Sequence, residues 1–573
     1  MSVGVNLTLD IAKKAMTAQQ TALMVTGHNI ANVNTTGFSR QSAVLEAGNS
    51  LPSAFGPVGS GVEVNSIIGI YNKYLEEQIG NETEEYGKWE AMREALEQIE
   101  AVFNESSEYG LNSSMNEFWN SWQDVANNPS GQAERMTLVS VASTLATTLN
   151  DQYSNLEQIQ MNLNDSIRGA VNEINNIVDQ IAELNNKILS AEVGGLPAND
   201  YRDERTNLVK DLSEIIDINY FENPDGMLTV MIAEGKTVVE GTSSWHLEAE
   251  ANINNNGLLD VKWDPSGGSA LIDITSEISS GKLEGWLEMR DVTIEDYKSR
   301  LDSLASEIIE EVNRLHSDGA GINGYGTLTA ANAVNNTSNP LDSVGLPFTP
   351  TNGSFEIYVW DSVNETETSV TITVDLSNPA YDGLDDIRDQ INNAGINITA
   401  SIDSNGFLTI ASNDSSQYTF TFQNDDSDTL LALGLNTFFT GDDASTISVN
   451  SVVENDINKI AAATSSNSPG DNTNALAIAD LQNALLLDSG TSTLDDYYNS
   501  LVSDVGVESQ NASNMSSHQE LILEQLENQR SSVSGVSLDE EMINLIKYQN
   551  AYTAATQLVS AIDEILRQVV EMV

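Results

Sequence analysis

Four histidines, His28, His246, His316 and His518, are the only imidazoles in this 573-residue chain, and cysteine is absent. Zinc sites and thiol chemistry draw on clusters of these two residue types at ligand spacing. No histidine here has such a neighbour, so each reads as structural. Carboxylates abound, 85 against 24 Lys and Arg, so adjacent pairs such as Asp385 and Asp386 arise by chance and do not mark an acid–base pair. Gly319 to Gly324 matches the G-x-G-x-x-G spacing of a dinucleotide loop. It follows a helical pattern instead of a strand, which predicts a flexible connector. Asn252 to Gly257 starts like a calcium loop but lacks its aspartates. Trp263 stands where the closing Glu belongs, so a hairpin turn is expected. Walker loops, nucleophile elbows and zincin motifs are missing from the sequence. This residue set argues against catalysis, metal ligation and cofactor binding.

Periodicity at the two ends is the stronger signal. Near the C-terminus, Leu545, Tyr548, Tyr552, Ala555, Val559, Ile562, Leu566, Val569 and Val573 follow one another in steps of three and four. Near the N-terminus, Leu9, Ala12, Met16, Leu23 and Ile30 do the same, with Gln19 and Thr26 at the intervening positions. Such steps hold side chains on one seam of a helix, as a coiled coil requires, and two seams at opposite ends predict that the termini come together. Charge marks the same segments. From Met542 to Ile562 the only charged side chain is Lys547, and from Met1 to Arg40 the only acid is Asp10, although the chain carries a net charge of -61. Solvated helices of so acidic a protein would carry carboxylates on their outer face. An internal hairpin within one globule would account for one covered face. Burial between neighbouring copies accounts better for charge avoidance confined to the two ends.

Length suggests several domains, each able to bury a core. A charge of -61 repels phosphate, which excludes nucleic acid as a partner. No segment approaches the roughly 18 to 20 apolar residues that span a bilayer, so no membrane insertion is expected. The opening MSVGVNLTLDIAKKAM lacks a charged region followed by an apolar one, and a cleaved Sec signal peptide is not expected.

Between the seams the pattern predicts an α+β, elongated, multidomain chain. The terminal coiled-coil domain takes residues 1–35 and 538–573. A long discontinuous helical bundle takes 36–213, 289–320 and 451–537, with stripes at Trp89–Phe103, Leu156–Ile188 and Ile294–Leu315 and a partner around Leu521–Leu526. After the N-terminal helix, NVNTTG supplies a turn with Gly37 at positive φ, and residues 48–61 read as an extended Gly/Pro loop. Two β-rich insertions follow. The first, 214–288, has hairpin turns at Pro224-Asp225-Gly226 and Asn255-Asn256-Gly257. The second, 321–450, is an outer domain with alternating runs such as SFEIYVW, SVTITVDL, FLTIAS and YTFTFQ around one short helix near Leu384–Asn393.

GHNIANVNTTGFSRQ, Gly27 to Gln41, resembles the N-terminal motif of the bacterial flagellar rod, hook and hook-associated proteins. Its motif positions here are Asn29, Asn32, Asn34, Thr36, Gly37, Phe38, Arg40 and Gln41. GVSLDEEMINLIKYQNAYTAATQLVSAIDEILRQVV, Gly535 to Val570, resembles their shared C-terminal motif. The ending FSRQ, the stretch Gly110 to Val139, NDYRDERTNLVKDLSEI (Asn199 to Ile215) and LLALGLNTFFTG (Leu430 to Gly441) are similar to hook-associated members. The likeness is weakest over 325–425, where it reduces to a small β module.

This resemblance implies a structural piece at the junction of hook and filament, extracellular and exported through the flagellar type III apparatus. Implied partners are further copies of the chain in a ring or tube, the hook protein, the second junction protein and a dedicated export chaperone on the C-terminal helix. The assembly interface would be the seam residues Leu9, Met16, Leu23, Ile30, Leu545, Tyr548, Tyr552, Val559, Ile562, Leu566 and Val569. Alternatives are another axial protein, such as hook protein or the second junction protein, or a surface adhesive module working through 321–450.

Overall fold

A computed structural model describes residues 2–53, 56–104, 110–268, 270–378 and 381–571. In chain order the helices are α1 (Ser2–Ala31), α2 (Lys73–Val102), α3 (Leu111–Asn127), α4 (Gln132–Glu192), α5 (Asn199–Ile215) and α6 (Gly281–Glu288). They continue with α7 (Ile294–Ser317), α8 (Leu384–Asn393), α9 (Thr429–Leu433), α10 (Ser451–Asn455), α11 (Thr473–Asp480), α12 (Leu494–Ser534) and α13 (Leu538–Glu571). The chain is a mixed α and β structure that folds into two compact units.

The first unit takes the chain up to Ala95, Met161–Arg290 and the chain from Gln510. Its core is where the stripe of α4 (Ile167, Ile174, Val178, Ile181) meets Val209 and Leu212 of α5 and Val230, Val238 and Val261 of the first β insertion. That insertion forms a four-stranded antiparallel sheet in sequence order (218–222, 228–232, 236–240, 243–244) and a three-stranded one centred on 259–263. Both predicted turns carry left-handed glycines, Gly226 at φ 84° and Gly257 at φ 79°. Buried arginines hold these sheets to the helices. Arg205 donates to Gly226 O and Asn185 Oδ1, both at 2.8 Å, and Arg290 donates to Leu259 O at 2.8 Å and Asn164 Oδ1 at 2.9 Å. A buried carbonyl is costly to leave unpaired, so the guanidinium groups satisfy the turn carbonyl of Gly226 and the strand-end carbonyl of Leu259.

The second unit takes Leu96–Gln160 and Asp291–Ser509. Phe118, Trp119 and Trp122 of α3 pack with His316 of α7 and Phe438 and Phe439. A separate core of Phe355, Ile357, Ile372, Phe420, Phe422, Ile387 and Ile410 fills the second insertion. Two antiparallel sheets build that module. One orders its strands 366–374, 353–361, 418–423, and the other 327–329, 408–412, 398–402.

Two expectations need correction. Residues 48–61 are not a plain loop. They extend a hairpin whose main strands, Gln41–Ala47 and Val62–Gly69, pair antiparallel and whose tip strands, Leu51–Ser53 and Gly56–Val58, pair again beyond. The Gly/Pro content masked the alternation. Gly319–Gly324 is no flexible connector: Ala320 donates to Ala463 O at 2.7 Å, Ile322 to Asn458 O at 2.8 Å, and Lys459 Nζ to Gly324 O at 2.7 Å. A side chain on Gly321 would sit 2.3 Å from Asn458 O, so these glycines serve close backbone approach. The segment around Leu521–Leu526 does pack in the bundle: Leu526, with Ile522 and Leu523 beside it, meets Leu75 and Ile79 of α2, while Leu521 itself is exposed.

Candidate assembly site

The two seams meet. Arg40 N–H donates to Ser534 O at 2.8 Å, which sets the start of α13 beside the end of α1. From there α13 packs back along α1, antiparallel to it, and α1 lies between α13 and the hairpin 41–69. The small buried side chains of α1 fall on two faces: Ala18, Ala22 and Val25 share the face on which Asn29 meets the hairpin, whereas Ala12 and Thr26 lie in the predicted seam. The larger residues expected to fill the seam, Leu9, Met16, Leu23 and Ile30, are only half-buried. They share that seam with Ala12 and Thr26, its fully buried members.

On α13 the seam residues Ala555 and Ile562 are fully buried, Ile562 at 3 % exposure, and Leu545, Tyr548, Tyr552 and Val559 are half-buried. Leu566, at 36 % exposure, stands outside the cover of α1. The side chain of Val569 and all of Val573 lie outside the described residues. Part of the charge avoidance is thus satisfied within one chain, by the hairpin of its own termini.

A second stripe remains. Ile543, Ile546, Asn550, Ala554, Leu558, Ala561 and Ile565 again follow steps of three and four, and every one is exposed. Ile543 is 66 % and Ile565 50 % exposed. An α-helix apolar on two sides wants two partners, and α1 supplies one. The sequence held this stripe, but the longer seam beside it drew the reading.

The turn after α1 is a latch between four helices. Asn29, 1 % exposed, donates Nδ2–H to Gln41 O at 2.9 Å and accepts Gln41 N–H at 3.0 Å. It thereby acts as a strand neighbour to the first residue of the hairpin. Asn32 donates from both backbone and side chain to His28 O, closing α1, and its Oδ1 accepts Thr35 Oγ–H at 3.1 Å. Gly37 takes φ 75°, and a Cβ there would fall 1.9 Å from Asn207 Oδ1, so only glycine fits. Phe38 stands edge-on to His28 with centroids 5.3 Å apart. Arg40 donates Nε–H to Glu541 at 2.8 Å and Nη1–H to Glu540 at 2.7 Å, in the first turn of α13. Carboxylates there also face the positive end of that helix. Gln41 Nε2 donates to Asp200 at 2.7 Å. Asn34 and Thr36 are exposed; the carbonyl of Thr36 accepts Asn207 Nδ2–H at 3.4 Å.

Sequence reasoning missed the far side of this latch. Asp203 of α5 accepts Ser39 N–H at 2.8 Å, and burial pushes its carboxyl up to about 6 against the pull of that N–H. Asn199 donates to Ile67 O at 2.9 Å and accepts Gly69 N–H at 3.1 Å; Arg530 of α12 donates to Gly37 O at 2.9 Å. A signal existed. Asn199, Asp203 and Asn207 recur every four residues, a polar face on a helix whose opposite face is core.

The remaining histidines differ in their surroundings. His316 is fully buried; its Nδ1 meets Asn436 O at 2.6 Å and its Nε2 accepts Ala461 N–H at 3.0 Å, which fixes the neutral Nδ1–H tautomer. His246 contacts Asp179 at 2.9 Å, and His518 is exposed on α12. Among the described residues no three His, Asp or Glu side chains converge as a metal site, and no helix is long and apolar enough to cross a membrane.

Comparison with known proteins ranks this geometry among flagellar ones. A family model for the helical domain of flagellar hook-associated protein FlgK matches residues 96–329. Models for the flagella basal body rod protein and for the C-terminal part of flagellar basal body rod FlgEFG proteins match 9–38 and 527–572, the two seams. A flagellin hook IN motif matches 362–414. Flagellar hook-associated protein 1 of Bacillus subtilis (strain 168) is 27 % identical over 98 % of this chain and 97 % of its own length. The protein of the same name in Escherichia coli (strain K12) is 27 % identical over 97 % of each, and that of Salmonella typhimurium (strain LT2) 28 % over 96 % of each. In fold, the chain is similar to the flagellar hook junction protein FlgK from Burkholderia pseudomallei, with a TM-score of 0.55 and 16 % identity over 80 % of this chain and 100 % of that one.

Proposed function

We propose, for a chain that belongs to the flagellar hook-associated protein 1 (FlgK) family and is thereby a structural component of the flagellar axis, that its place is the junction of hook and filament. Relatives named flagellar hook-associated protein 1 align with nearly its full length, which favours the junction over hook protein or an adhesin. Its work is to hold neighbours, not to transform a substrate.

The observation that carries the assembly reading is the second, uncovered stripe of α13. One seam closes the chain's own hairpin. The other, from Ile543 to Ile565, then meets a different surface on the next copy, a heterologous contact of the kind that builds rings and tubes. The latch at Asn29–Gln41 sets the angle at which that hairpin joins α5 and α12 within the first unit, so every copy presents the stripe alike. Beyond the ring we place hook protein on one side and the second junction protein on the other. Delivery by the flagellar type III route, with a chaperone shielding the apolar C-terminal helix, fits a stripe that water would otherwise wet.

The test is reconstitution. Purified chain added to bare hooks should permit flagellin, with the second junction protein and a filament cap present, to extend a filament. Hooks that elongate equally well without it reject the junction role. Long tubes made of this chain alone would instead indicate a hook-type protein.

A further inference from the structure

The outer β module offers an open sheet edge. Its strand Thr366–Val374 is the terminal one of a three-stranded sheet, paired on one side only, with 353–361. The outward edge is closed at one end by a side chain. Gln390 of α8 donates Nε2–H to Thr373 O and accepts Thr373 N–H, both at 2.9 Å, mimicking a neighbouring strand. Two residues on, Asn392 does the same for the edge strand of the second sheet, donating to Ala400 O at 2.9 Å and accepting Ala400 N–H at 2.8 Å. One short helix thus caps both sheets, as edges at risk of pairing require.

The cap stops at Thr373. Because that residue faces its N–H and C=O outward, antiparallel alternation turns those of Thr371, Ser369 and Glu367 outward too. No described residue bonds to the outward backbone of these three. Their side chains are exposed, and the stretch has no proline and no lysine, the usual guards of an edge. On the other face, Val370 is half-buried and leads to the buried Ile372.

Charge selects the occupant. From residue 331 to residue 430 the chain has fifteen acidic residues and one basic residue, Arg388, which is already paired with Asp385 and Asp389. Glu367 sits on the edge, with Glu365 in the adjoining turn and Glu356 on the neighbouring strand. A second copy of this module would bring the same sign and be repelled.

We propose that the edge 367–371 is a docking site for a cationic extended peptide segment of another protein, added as a fourth strand. Main-chain hydrogen bonds at Glu367, Ser369 and Thr371 supply the pairing, basic side chains of the peptide lie along the Glu367 face, and its apolar ones lie beside Val370. Proline tests it cleanly. The N–H of Ser369 points out of the ladder, so Ser369→Pro leaves the 353–361 pairing in place but removes the central donor of the docking edge.

The experiment titrates full-length chain into a labelled ten-residue peptide of alternating Lys and Val, read by anisotropy, with a Glu/Val peptide as control. The expected result is saturable binding of the Lys/Val peptide alone, weakened at least about tenfold by Ser369→Pro and less than about twofold by Ser369→Ala. Circular dichroism melting verifies that the proline variant is folded. Independently of any variant, hydrogen exchange on the wild-type chain should show new protection confined to 366–371 when that peptide is present. No binding, binding that Ser369→Pro leaves intact, or no protection at 366–371 overturns the proposal. So does self-association through this edge abolished by Ser369→Pro, since the occupant would then be a second copy.

Discussion

Two aspartate substitutions three residues apart on α13 separate the hairpin from the assembly. Ile562 is 3 % exposed against α1, and Ile565 is 50 % exposed on the second stripe. A fully buried isoleucine contributes about 1.5 to 3 kcal/mol, so Ile562→Asp removes roughly that much from the α1–α13 pair and adds the penalty of a carboxylate in an apolar seam. With Ala555 the only other fully buried side chain of the described α13 seam, the hairpin has little reserve, and α13 should detach in the isolated chain. Ile565 has about half its surface still to bury, worth about 1 kcal/mol on assembly, and a carboxylate there adds about 1 to 3 kcal/mol of desolvation in a closed interface. In the isolated chain, however, Ile565→Asp changes an exposed position and should move stability by less than about 0.5 kcal/mol. Amide exchange across 545–568 reads the hairpin; growth of filaments on hooks reads assembly. Ile562→Asp should fail both, whereas Ile565→Asp should keep wild-type exchange and lose at least about tenfold in incorporation, the factor of about 1.4 kcal/mol per decade. Filament growth by Ile565→Asp at the wild-type rate refutes the claim that the second stripe is an interface.

Other consequences follow from the latch and the buried titratable groups. Asn29→Ala deletes both hydrogen bonds to Gln41 and leaves a buried N–H and C=O unpaired, for a loss of about 2 to 4 kcal/mol visible as a lower urea midpoint of the first unit. Burial pushes His316 down to about 4, so between that value and its unfolded 6.5 the unfolded chain binds the extra proton. Stability of the second unit is therefore full above about pH 6.5 and falls by about 3 kcal/mol as pH drops through 4; urea titrations at pH 7 and pH 4.5 measure the slope. Glu84 runs the other way. Burial, with Asp217 and Glu85 nearby, pushes its carboxyl up to about 8, so the folded chain holds the proton and stability drops as pH rises from 4.5 through 8. Glu84→Gln, which keeps an acceptor for Ile218 N–H at 3.0 Å, should gain roughly 1 to 3 kcal/mol at pH 8 and almost nothing at pH 5.

Legibility of the sequence tracked how far each contact reaches along the chain. Elements set by local periodicity came out close to their residues. α1 ends at Ala31 and α8 spans Leu384–Asn393, as the patterns predicted, and the four alternating runs of the second insertion are strands. Turns whose chemistry is local also held, since Gly37, Gly226 and Gly257 take positive φ. What stayed hidden depends on partners hundreds of residues away. Arg40 stands in the sequence as a motif position without a partner, and its contacts show only when α12 and α13 bring Ser534, Glu540 and Glu541 to it. The hairpin 41–69 hid because one of its faces is covered by α1, not by a continuous core, so its alternation is diluted by exposed Gly and Pro. The second buried face of α1 stayed hidden for a related reason. Ala18, Ala22 and Val25 lie on the side turned to the hairpin that follows, and alanine is too common to stand out by count. Two stripes on one helix are the reverse case. Both are plain in the sequence, but only the exposure of Ile543, Ile546, Leu558 and Ile565 beside a buried Ile562 tells which stripe the chain uses on itself and which it leaves for a neighbour.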